Sequence, residues 1–105
     1  MRYLKKLYVS EELKGKETEV IRHLEEKDFQ FRVYLICIPE REENQLEIFH
    51  SGMLLQEWYK DKDVLVAGFS RGYEQALELV REIVQEVADQ TGDARIRQYL
   101  LERQG

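Results

Sequence analysis

Between Tyr73 and Thr91 the chain sets Tyr73, Ala76, Leu77, Val80, Ile83, Val84, Val87, Ala88 and Thr91 at helical spacing. Glu74, Gln75, Glu78, Glu82 and Gln85 fall on the other side. An apolar stripe backed by a charged face describes a long amphipathic helix that must lay one side on an apolar surface. Gly92 follows the last periodic position and is suited to a left-handed cap there. No other segment restricts the fold as much: a helix of this length with one wet face needs a sheet to cover.

The rest of the chain supplies the strands. Val33-Tyr34-Leu35-Ile36-Cys37-Ile38 is apolar on both alternations, and Phe29 and Phe31 extend one of them, which predicts a central strand buried on both faces. Pro39 removes a backbone donor and ends it, and the polar run Glu40 to Asn44 leads as a hairpin to Leu46, Ile48 and Phe49. Val64-Leu65-Val66-Ala67 is a second two-sided strand. Before it, Ser51 opens a short helix containing Met53, Leu54, Leu55, Trp58 and Tyr59, so this part reads as a strand, helix, strand crossover. Tyr3 to Val9 is an edge strand, half exposed through Lys5 and Lys6. Leu13, Val20, Ile21 and Leu24 predict a helix from about Lys16 to Lys27, and Ile96, Tyr99 and Leu100 a short one after Asp93. The expected architecture is a single α/β domain over residues 1–105, a small mixed sheet of about four strands with the long helix packed on it. A two-layer α+β arrangement is the alternative.

A chain of 105 residues can close one core without a disulfide, a metal or a cofactor. Its net charge of -5 argues against a partner coated in phosphates, because nucleic-acid binding draws on a clustered excess of Lys and Arg. The 35% of charged residues belongs to a solvated surface. The single cysteine, Cys37, lies inside an apolar strand and reads as an inert packed thiol in a reducing compartment. The start Met1-Arg2-Tyr3-Leu4-Lys5-Lys6 lacks the apolar core of a signal peptide, and no stretch has the length to span a bilayer. A cytoplasmic protein is expected.

Gly68-Phe69-Ser70-Arg71-Gly72 matches G-x-S-x-G between a strand and a helix, the setting of a nucleophile elbow. The remaining machinery is missing, since neither His23 nor His50 follows Ser70 and the chain is far shorter than an α/β-hydrolase. A second reading uses the turn as an anion site: backbone N–H groups at the helix start, the Ser70 hydroxyl and the Arg71 guanidinium, with Gly68 and Gly72 giving the close turn. A purely structural role competes with both, with Ser70 capping the helix and Arg71 solvated. His50 beside Ser51 has no orienting acid, and His23 belongs to a charged helix face. Histidine and cysteine are too few for a zinc site. Met53, Leu54, Leu55, Trp58 and Tyr59 spread over more than one helical stripe, which makes them candidates for a homodimer or protein-partner interface as well as for the core.

The stretch Ala67-Gly68-Phe69-Ser70-Arg71-Gly72-Tyr73-Glu74-Gln75-Ala76-Leu77-Glu78-Leu79-Val80, with Arg97-Gln98-Tyr99-Leu100, resembles small uncharacterised bacterial proteins. The resemblance implies a free-standing small protein and supplies no catalytic residue. The sequence therefore favours a noncatalytic protein acting through protein-protein interaction or self-association. A binding module for a small anion at 68–73 is the alternative, and a serine hydrolase using Ser70 comes last.

Overall fold

The computed structural model describes residues 2–28, 30–39, 46–55 and 64–104, without the side chains of 54, 55, 103 and 104. Strands β1 (Arg2–Val9), β2 (Val33–Ile38), β3 (Glu47–His50) and β4 (Leu65–Arg71) form one mixed sheet in the order β1-β4-β2-β3. β1 runs parallel to β4, whereas β2 is antiparallel to both β4 and β3. The hairpin across Pro39 pairs Ile36 with Ile48 and Leu35 with Phe49. Helices α1 (Glu17–Glu25), α2 (Tyr73–Thr91) and α3 (Ile96–Gln104) complete the chain, with 3-10 turns at Glu11–Leu13 and Ser51–Leu55.

The two central strands bury both faces, and each face has its own helical cover. Leu13, Val20 and Leu24 close over Val33, Leu35, Cys37, Phe49, Val66 and Phe69 on one side. Ala76, Leu79, Ile83 and Val87 of α2, with Ile96 and Leu100 of α3, close over Leu4, Ile36, Ile38, Leu65 and Ala67 on the other. The result is three layers, so the two-layer alternative does not hold: the 3-10 turn and α1 cover the face that a two-layer arrangement leaves bare. Full burial of a side chain such as Ile83 or Leu100 is worth about 1.5–3 kcal/mol each, so this face depends on α2 and α3 staying docked.

The principal departure from the sequence reading is the length of β4. The expected strand stops at Ala67 before a glycine-rich turn, but the observed strand continues to Arg71, with Gly68, Phe69 and Ser70 all buried in it. Gly68 belongs there because its backbone lies against β1: a Cβ on it would stand 2.2 Å from the Tyr8 carbonyl oxygen. Only Gly72 turns the chain, at φ +106°, a conformation side chains with a Cβ rarely adopt. The second departure is at β2, which begins at Val33; Phe31 lies in a turn ahead of it and is 74% exposed.

Candidate functional site at the end of strand four

Where β4 enters α2, adjacent residues take opposite roles. Ser70 is fully buried and its hydroxyl donates to the Gly72 carbonyl at 2.8 Å. It makes no cap hydrogen bond to α2, and with its side chain fully buried the G-x-S-x-G match does not present an exposed nucleophile. Arg71 is exposed, and its backbone N–H donates to the Ser10 hydroxyl at 3.1 Å. The Gly72 N–H donates to the Arg32 carbonyl at 2.7 Å. The amides of Arg71 and Gly72 therefore hold the junction together and are not offered to a ligand. The first helical bond of α2 runs from the Ala76 N–H to the Gly72 carbonyl at 3.2 Å, which leaves the amides of Tyr73, Glu74 and Gln75 as the orphan donors of a helix start.

This junction brings Arg32 beside Arg71, because Val33 pairs with Arg71 across the sheet and Arg32 lies opposite Gly72. Both arginines border an open depression of about 650 Å³ walled by Phe31, Tyr34, His50 and Tyr73. No aspartate or glutamate among the described residues lines it. Among the described residues, neither guanidinium has a carboxylate within ion-pair distance. A second depression on the α1 side shares Phe31, Arg32 and Arg71 and adds Lys16, Glu19 and His23. The arginines thus stand on a ridge between two hollows.

The aromatic wall is held by edge-on contacts. The Tyr34 ring meets His50 at 5.0 Å and 85° and Tyr73 at 5.7 Å and 68°, in the T-shaped geometry that aromatic quadrupoles favour. His50 accepts from the Gly52 N–H on Nδ1 at 2.9 Å, so Nε2 carries the proton and donates to the Phe31 carbonyl. Ser51 donates to the Gln30 carbonyl at 3.0 Å. His50 and Ser51 therefore stitch the end of β3 to the turn ahead of β2, which agrees with a structural histidine and removes the adjacent serine as its partner in catalysis.

No family model, curated protein or solved structure matches this chain.

The remaining candidates offer less. Burial, with Glu47 nearby, pushes the Cys37 thiol well above its usual range, as expected for an inert thiol. His23, Glu26 and Asp28 can each bring one donor atom within 4.8 Å of the others, but Glu26 and Asp28 are exposed, and His23 Nδ1 lies 3.1 Å from Asp28. Of the interface candidates, Met53 packs half-buried on the α1 face. The side chains of Leu54 and Leu55 and all of Trp58 and Tyr59 lie outside the described residues. No described helix is long and apolar enough to cross a membrane.

Of the four residues expected to bind a ligand, the structure leaves Arg71 and Gly72 at the depression and buries Gly68 and Ser70 in the sheet. Sequence reasoning did not single out Arg32 or Tyr34 for this site, included Tyr73 only as the end of the 68–73 turn, and placed Phe31 in a strand. Arg32 carries a faint signal, a charge at the mouth of an apolar strand, but only the β2–β4 register sets it beside Arg71.

Proposed function

We propose that this protein is a noncatalytic binding domain that takes a small anionic ligand between Arg32 and Arg71. One observation carries the reading: two arginines border a depression with no acidic residue among the described residues that line it, in a chain whose net charge is -5. In so acidic a molecule, carboxylates are the default neighbours of an arginine. A planar guanidinium presents paired donors that match carboxylate or phosphate oxygens, and two of them, one from the turn ahead of β2 and one from the end of β4, can hold one anion. The orphan amides at the start of α2 add favourable potential at the same end. Ser70, Ser51 and Cys37 are each buried, which supports a role in binding and not in nucleophilic chemistry. A single thiol buried in the core fits a protein of a reducing, cytoplasmic setting.

The test is a thermal-shift screen of the wild type, Arg32→Ala and Arg71→Ala against phosphate, phosphorylated metabolites and organic acids. Ligand at a hundred times its Kd stabilises the folded state by about 2.7 kcal/mol. A shift in the wild type that both variants lose is the expected result. Equal shifts in all three proteins would place binding elsewhere, and no shift in any would contradict the reading.

Self-association is the second reading, supported by α2 itself. Leu77 and Val84 are 41% and 39% exposed, on the same side of the helix as Tyr73. On the same side of the sheet as α2, Leu46 and Ile48 are only partly buried. A second copy of the chain laid on this strip would cover it. Sedimentation of the wild type and Leu77→Glu tests this: a dimer lost in the variant supports the reading, and a monomer at high concentration opposes it.

A further inference from the structure

We infer that the ligand of this site carries a flat aromatic ring next to its anionic group, and that a nucleoside monophosphate is the class it takes. The inference rests on the anion reading above and adds what the walls contribute. Phe31 at 74% and Tyr73 at 50% are the two most exposed of the large hydrophobic residues described, and both border the depression that holds Arg32 and Arg71. A site for a bare anion needs only the guanidinium groups. A ring with half or more of its surface exposed at such a site can take another ring by stacking, and arginine planes can stack too.

Tyr73 is preorganised for this. It opens α2 directly after Gly72, whose amide is tied to Arg32, and its ring is braced edge-on by Tyr34, itself braced by His50. Phosphate at the arginines and a base at the aromatic wall would use both kinds of side chain at once. The depression, about 650 Å³, lies within the roughly 300–1,000 Å³ usual for small-molecule sites. Two arginines in a molecule of net charge -5 suit a single nucleotide and not a polyanion.

Titration calorimetry with adenosine monophosphate, ribose 5-phosphate and phenyl phosphate tests the inference. Stacking of one base predicts that the nucleotide binds at least about tenfold tighter than ribose 5-phosphate. Tyr73→Ala should lose that preference while keeping its affinity for ribose 5-phosphate, a control that shows the anion site is still formed. Phe31→Ala, at an exposed turn position, gives the same comparison without touching α2. Equal affinity for nucleotide and ribose 5-phosphate would overturn the aromatic inference and leave the anion reading standing. Tighter binding of phenyl phosphate than of the nucleotide would overturn the nucleoside assignment. Absence of binding by all three would overturn both.

Discussion

Two clusters of polar and aromatic side chains flank α2, and they use their groups in opposite ways. On the β1 side, the Glu86 carboxylate accepts from the Tyr8 hydroxyl at 2.7 Å and the Tyr99 hydroxyl at 2.9 Å, through the same oxygen. That cluster joins β1, α2 and α3, and its charge is answered by donors of the same chain. At the junction of β4 and α2, Arg32 and Arg71 instead border open space beside Tyr34, Tyr73 and His50. Charge answered internally reads as support for the fold. Charge presented to a cavity reads as capacity for a partner.

Substitutions can break this contrast, beginning with those of largest effect. Gly68→Ala should cost about 3 kcal/mol or more in chemical denaturation, because its methyl group would stand 2.2 Å from the Tyr8 backbone oxygen, and neither strand can yield cheaply. Tyr8 also anchors the Glu86 cluster, so the damage should reach α3. Glu86→Ala should cost about 2 kcal/mol by leaving two partly buried tyrosine hydroxyls without their acceptor, and it should leave ligand affinity unchanged. If it weakened ligand binding instead, the two clusters would not be independent.

The buried thiol gives a pH-dependent effect of intermediate size. Cys37 is raised in the folded state by burial first and Glu47 second, whereas in the unfolded chain it ionises near the usual value of about 8.5. Its contribution is present below that pH and is lost as pH rises above it, since only the unfolded chain then releases the proton. Stability should fall by about 1.4 kcal/mol per pH unit in that range from this group, and Cys37→Ala should flatten the dependence. A flat profile in the wild type would show the thiol to be accessible.

The two neighbours at the end of β4 should then separate. Ser70→Ala should cost about 1 kcal/mol through its lost bond to the Gly72 carbonyl, and a serine-directed probe should not label the folded wild type. Arg71→Ala should change stability by less than about 0.5 kcal/mol, as expected for an exposed side chain without a partner among the described residues.

Much of the fold was legible because its signals are periodic and local. The span of α2, Tyr73–Thr91, and its left-handed cap at Gly92, φ 76°, follow directly from apolar spacing and one glycine. The two-sided burial of β2, the hairpin across Pro39 and the exposed lysines of β1 follow from alternation in the same way. The end of β4 misleads because a glycine can serve either a turn or a close strand approach. Gly68 serves the second, and only the Tyr8 carbonyl beside it distinguishes them. The site itself was half legible: Arg71 stands in a suggestive motif, but its companion Arg32 comes from the turn ahead of β2, and register between strands is not written in local pattern.

The most direct test of the central claim is to follow backbone amides by two-dimensional NMR while titrating phosphate and then adenosine monophosphate. The account predicts shifts concentrated at Phe31, Arg32 and the start of α2 from Tyr73 to Gln75, with the amides of Glu86 and Tyr99 unmoved. Shifts centred on the Glu86 cluster, or none at saturating ligand, would contradict it.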